Sequence, residues 1–193
     1  HSYPTRRASD LSTFTRAAAV WSVAFSPDGR QLATASTDGT ARVWDAATGA
    51  ETRKMEGVSR GIATVAWRPN GAQLATTGWD RTPERGVWGV VKVWSADGAL
   101  VRTLEHGVKP IVTSSWSADG ARFFAGTWDD DVAVFDTATW SAPSRLVPPK
   151  TDAYKAVQGL AVRADGQRLA VGAKDGTLRI WDPSASRLAH TLV

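Results

Sequence analysis

Residues 21–45 read WSVAFSPDGRQLATASTDGTARVWD, and this stretch decides the fold. Val20 to Phe25 is a short run of apolar and small residues, suited to a strand buried on both faces. Ser26-Pro27-Asp28-Gly29 follows it. Proline presets φ, aspartate tolerates a turn conformation and glycine accepts positive φ, so the chain reverses there. Gln31 to Ser36 sets Leu32, Thr34 and Ser36 against Ala33 and Ala35, the twofold period of a second strand. Asp38-Gly39 is a hairpin signal, and Ala41 to Asp45 makes a third strand carrying Val43 and Trp44. Three strands in so short a span leave no room for a helix.

The rest of the chain repeats this unit. The first reversal recurs as Pro69-Asn70-Gly71, Ala118-Asp119-Gly120 and Ala164-Asp165-Gly166. The third strand ends in Val43-Trp44-Asp45, Val93-Trp94-Ser95, Val134-Phe135-Asp136 and Ile180-Trp181-Asp182. A fourth, weakly apolar segment follows each of these endings. Four strands per unit at a spacing of about 40–50 residues predict an all-β chain of four four-stranded antiparallel units. Their expected spans are about 20–56, 62–105, 111–147 and 157–193, with residues 1–19 a linker or the tail of an upstream unit.

With these motifs in place, the chain resembles the WD40-repeat β-propeller family from Val20 onward. The resemblance implies blades packed face to face, a binding function and no catalytic activity in the propeller itself. It also implies a hydrogen-bonded set of His, Ser/Thr, Asp and Trp in each blade. Ser36, Asp38 and Trp44 match three members of that set, and Thr127 and Asp129 match two, with Phe135 in place of Trp. The Gly-His dipeptide that supplies the histidine is absent: Gly57-Val58 and Gly107-Val108 stand in its place. The set is therefore expected to be incomplete everywhere, with blades resting mainly on apolar packing. Leu11 to Thr15 reads as the last strand of an earlier blade or as a strand that closes a ring on the final blade, so the expected forms are an open arc that can self-associate through bare blade ends, a small four-blade ring, or half of an oligomeric ring.

Composition narrows the function. There are 23 Lys and Arg against 19 Asp and Glu, for a formal net charge of +4, and the basic residues are scattered. That biases the chain toward acidic partners and gives no nucleic-acid footprint. The longest nearly apolar run, Ala17 to Phe25, is too short for a membrane-crossing helix. Cysteine is absent, which removes disulfides and thiolate metal sites; no cofactor and no metal is expected. Gly57-Val58-Ser59-Arg60-Gly61 matches the nucleophile-elbow pattern, but it lies between two predicted strands, where that pattern has no catalytic geometry. Asp129-Asp130-Asp131 could ligate a hard cation. Since Asp129 is needed for the turn and no loop spacing follows, a solvated acidic turn is the expectation.

Two function classes remain: a scaffold binding a protein or peptide on its loop face, and a small-ligand or enzymatic propeller with a site at the channel mouth. Only three histidines and no recurring acid–base pair are available to the second. For the first, the residue before each blade-turn aspartate is a candidate contact: Thr37, Trp79, Trp128 and Lys174. Arg60, Lys109 and Lys155 stand near the entries to inner strands and would add positive charge to that rim. Blade two also carries eight extra residues between its second and third strands: either a long loop whose Trp88 could anchor a partner, or an extension of the hairpin in which Val87 and Trp88 pack down on the blade.

Overall fold

The computed structural model describes residues 18–57, 60–107, 109–149 and 156–192. They form four separate four-stranded antiparallel sheets and, among the described residues, no helix. Blade one contains β1 (Val20–Phe25), β2 (Gln31–Ser36), β3 (Thr40–Asp45) and β4 (Glu51–Glu56). Blade two contains β5 (Ile62–Trp67), β6 (Gln73–Thr82), β7 (Gly86–Ser95) and β8 (Leu100–His106). Blade three contains β9 (Ile111–Trp116), β10 (Arg122–Thr127), β11 (Val132–Asp136) and β12 (Ser144–Leu146). Blade four contains β13 (Val157–Val162), β14 (Leu169–Ala173), β15 (Leu178–Asp182) and β16 (Arg187–Leu192). Within each blade the strands pair in chain order, so every connection is a hairpin. This is an all-β propeller segment.

The predicted turns form through glycine at positive φ, as at Gly29 (71°) and Gly39 (79°). Blade three departs from this. Asp130 takes the place of Gly39 in its turn and holds φ at 67°, a left-handed conformation aspartate tolerates better than most residues.

The blades pack in sequence, with β1 against β5, β5 against β9 and β9 against β13. No comparable packing joins β13 to β1, so the described residues form an open arc. At the first joint Ala33, Ala35, Ala41, Val43 and Met55 of blade one present a low face. Val65, Trp67, Leu74 and Trp94 of blade two fill it. The indole N–H of Trp67 donates across the joint to the carbonyl of Ala24 at 3.2 Å. One blade further, the N–H of Trp116 donates to the carbonyl of Ala66 at 3.1 Å. The same residue type at the same register position makes the same joint twice. Blade three adds an aromatic cluster in which Trp140 is 9% exposed and meets Trp116 edge-on at 5.8 Å.

Of the two readings of the extra residues in blade two, the structure shows the extended hairpin. Pairing of β6 with β7 continues without interruption through Trp79↔Gly89, Asp80↔Trp88 and Arg81↔Val87 to Thr82↔Gly86. The eight extra residues therefore lengthen a hairpin. Trp88 packs down on it at 7% exposure, with the Arg85 guanidinium 4.3 Å from its ring centre. Burial of so large a ring outweighs its display to solvent, which removes Trp88 from the candidate contacts.

Trp67→Phe keeps the wedge and deletes one hydrogen bond, so it should cost about 1 kcal/mol. Trp67→Ala empties the joint and should cost about 3–5 kcal/mol. Urea unfolding followed by circular dichroism measures both; equal costs would show that the ring does not fill the joint.

Candidate functional site

Equivalent pairs close the inner hairpin of each blade: Val20↔Ser36, Ile62↔Gly78, Ile111↔Thr127 and Val157↔Ala173. Thr37, Trp79, Trp128 and Lys174 each stand one residue beyond such a pair. They therefore lie at the same end of every blade. The backbone N–H of Thr37 donates to Ala19, that of Trp128 to Pro110 and that of Lys174 to Ala156, which pins three of these residues beside the entry to the inner strand.

Their surroundings differ. Trp128 is 43% exposed. Trp79 is half-buried because Trp21 lies against it, ring centres 5.4 Å apart. Trp21 sits at the register irregularity between Val20 and Ser22, and it is 53% exposed. Sequence reasoning missed this partner, since strand alternation alone does not say where a bulge turns a side chain. Arg60 is exposed, and its neighbour Gly61 lies against the backbone of Thr37. Lys109 is exposed, 3.7 Å from Asp129. Lys174 is exposed, and Lys155 lies outside the described residues. The structure thus brings together Trp21 with Trp79, Gly61 (the residue after Arg60) with Thr37, and Lys109 with the turn that carries Trp128.

The acidic turn of blade three is solvated only at Asp129, which is exposed, while Asp130 and Asp131 are buried. Its three carboxylates diverge, each toward its own cation. Asp129 faces Lys109, while Asp130, 7% exposed, takes a 2.7 Å bond from Arg179 of blade four. Arg179 is itself 4% exposed and also donates to Asp175 at 2.6 Å. Asp131, 2% exposed, accepts from the Thr127 hydroxyl and from Arg145, with the imidazole of His106 at 3.6 Å. Among the described residues no group of His, Cys, Asp or Glu is placed to hold a metal ion.

These contacts correct the expected hydrogen-bonded sets. Trp44 donates to Thr34 at 3.0 Å rather than to Ser36, and Trp94 donates likewise to Thr76. The threonine two residues before the hairpin end faces the indole, whereas Ser36 turns to the backbone N–H of Asp38. In blade three His106, at the end of β8, supplies the imidazole from the residue before Gly107. A search for Gly-His could not find it.

Burial pushes the Asp131 carboxyl up, but the bonds from His106, Thr127 and Arg145, and the Arg145 charge, more than offset this and bring its pKa from 3.8 down to about 2. Thr127 donates to the carboxylate and not to His106, so no hydroxyl is activated by the imidazole. The trio is a structural clasp between blades two and three.

Comparison with known proteins follows the same repeats. The family model described as "WD domain, G-beta repeat" matches residues 9–45, 49–82 and 149–182, more than half of the chain. The chain belongs to the WD40 family. The stretch between the second and third matches holds β7 of the lengthened hairpin and blade three, where Asp130 replaces the turn glycine and Phe135 the tryptophan. WD repeat-containing protein VIP3 of Arabidopsis thaliana is 30% identical over 186 residues, 91% of this chain and 56% of that protein. Protein ROOT INITIATION DEFECTIVE 3 of the same plant is 30% identical over 106 residues, 53% of this chain and 24% of that protein. Periodic tryptophan protein 2 homolog of Schizosaccharomyces pombe is 30% identical over 91 residues, 47% of this chain and 10% of that protein. The WD40 chain thus spans about half the length of VIP3 and less of the other two.

A carboxylate with a depressed folded pKa stabilises the fold above its unfolded value of 3.8, and this contribution is lost as pH falls toward about 2. Asp131→Asn should therefore lower the urea midpoint at pH 7 and narrow the gap to the wild-type chain steadily below pH 4. A gap that stayed constant down to pH 2 would show that Asp131 is not held ionised.

Proposed function

We propose that this WD40 segment is a non-catalytic scaffold that binds a protein or peptide on the face carrying the β2–β3-type turns. WD40 repeat proteins generally serve as protein-interaction scaffolds, and what is specific to this chain is the make-up of its rim. The observation that carries the reading is the recurrence of one register position at the rim of every blade, occupied by Thr37, Trp79, Trp128 and Lys174. Two of the four are tryptophans, and the turn itself requires no aromatic there. Trp21 widens Trp79 into a pair of rings tilted 36° to each other. Arg60, Lys109 and Lys174 place positive charge along the same rim, and Lys155 belongs to it by sequence position.

Such a surface suits a peptide that pairs apolar side chains with aspartate or glutamate. Tryptophan supplies a large contact area at low conformational cost, and a few such anchors carry most of the energy in many interfaces. The enzymatic alternative draws no support from His106, whose carboxylate partner is already engaged by Arg145 and Thr127.

Selection of a displayed random-peptide library against the chain tests this reading. Recovered sequences should combine acidic with apolar residues. Trp79→Ala and Trp128→Ala should each cost about 2 kcal/mol, roughly 30-fold in Kd, without changing the urea midpoint. Peptides that bind the double variant as tightly as the wild-type chain would overturn the assignment of the rim.

A further inference from the structure

At the joint of blades two and three lies a cavity of 260 Å³. A single water needs only about 10–15 Å³, so there is room for a side chain. Thr127 and Asp129, the chain neighbours of Trp128, both line it, which puts the cavity beside that indole. His106 at the end of β8, Lys109 before β9, Asp131 and Arg145 of β12 complete the lining. Thr127, Asp131 and His106 are buried and form a floor; Lys109, Asp129 and Arg145 are exposed and form the mouth.

The acceptors on the floor are already engaged. Oδ1 of Asp131 accepts from the Thr127 hydroxyl and Oδ2 from Arg145, with His106 3.6 Å from that second oxygen. The donors at the mouth are not. Arg145 turns only Nε and Nη2 to Asp131, both at 2.5 Å, and its Nη1 makes no bond among the described residues. The Lys109 ammonium is 3.7 Å from Asp129, beyond hydrogen-bond reach. The two cations and two carboxylates balance in charge, yet N–H groups outnumber the oxygens left to receive them. Asp131, ionised down to a pH of about 2, also fixes the guanidinium before any ligand arrives, so little side-chain freedom is lost on binding.

We propose, resting on the rim reading above, that this cavity takes the side-chain carboxylate of an aspartate or glutamate in the bound peptide. Lys109 and the Nη1 edge of Arg145 hold the two oxygens, and the adjoining apolar residue of the peptide lies on Trp128. Arg145 thereby joins the site although it stands on no turn of the rim. Hydrogen bonds between charged donors and a charged acceptor are the strong ones, which favours a carboxylate over an amide. A phosphoryl group brings nearly two negative charges and would meet Asp129 and Asp131 without the arginine cluster such groups require.

Peptides recovered from the displayed library test this when made in pairs, with each acidic residue in turn replaced by its amide. Fluorescence anisotropy gives their affinities for the wild-type chain, Lys109→Met and Arg145→Lys. The second variant keeps a cation for Asp131 and gives up the spare guanidinium edge. On the wild-type chain one acidic position should bind about tenfold more tightly than its amide. On each variant that preference should fall to about threefold or less, with the affinity of the amide peptide unchanged. Circular dichroism checks both folds; if Arg145→Lys unfolds, Lys109→Met, at an exposed position, decides alone. An acid preference absent from the wild-type chain, or equal on all three chains, overturns the inference. In that case binding still lost in Trp79→Ala and Trp128→Ala leaves the rim reading standing. Binding indifferent to both tryptophans, or a library that yields no binder, overturns the rim reading and this inference together.

Discussion

A four-stranded sheet has two faces, and neither is stable against water unless something covers it. In this chain the solution is a joint between a shallow face and a filled one. Ala33 and Ala35 are fully buried because their short side chains let the next sheet approach, and Val65 and Trp67 occupy the space they leave. The indole N–H of Trp67 then reaches a carbonyl of the neighbouring strand, so the residue that fills the volume also satisfies its own polar atom. At the third joint the sizes are exchanged. Phe124 of blade three stands at the position of Ala75 and is fully buried, while blade four answers with the smaller Leu160 and Val162. Gly126 keeps the approach close there: a β-carbon would lie 2.7 Å from Val157. Bulk thus moves from one side of the joint to the other, a redistribution that cores tolerate.

Polar chemistry follows from the same geometry. Hairpins alternate direction, so the β1–β2 and β3–β4 turns of a blade share one edge and the β2–β3 turn lies at the other. Along the first edge aspartates cap their own turns. Asp28 and Asp119 are held below the usual carboxylate range by the hydroxyls of Ser26 and Ser117, and Asp45 and Asp136 by the backbone N–H groups of Thr48 and Thr139. Along the other edge the buried Arg179–Asp130 pair ties blade four to blade three, and tryptophans and cations stand exposed. One edge is a row of self-contained acidic turns and the other is chemically varied.

The fold was legible because two local signals recur along the chain: twofold alternation, as in Gln31 to Ser36, and a glycine where most turns need positive φ, with Asp130 standing in for it in one turn of blade three. What escaped the sequence were choices that depend on a neighbour. Trp88 reads equally as a loop anchor or as a packed hairpin residue until the register of β6 with β7 is known. Asp131 reads as solvated until His106 and Arg145, from two other strands, converge on it. Ser36 and Thr34 are equally plausible partners for Trp44 until side-chain direction is fixed. Trp79 and Trp128 were placed by position alone, and the ring of Trp21 beside the first required a bulge that alternation does not encode.

The hairpin order of each blade bears on how the chain is made. Every sheet is complete once its own contiguous residues exist, because no strand is borrowed from a distant part of the described chain. The alanine face of blade one lacks its cover only until β5 appears, and β5 is the next strand to be synthesised. A chain emerging N-terminal end first can therefore hide each apolar face almost as soon as it forms. The succession of joints doubles as an assembly schedule, in which the interval of exposure is set by the five residues between Glu56 and Ile62 rather than by the length of the protein.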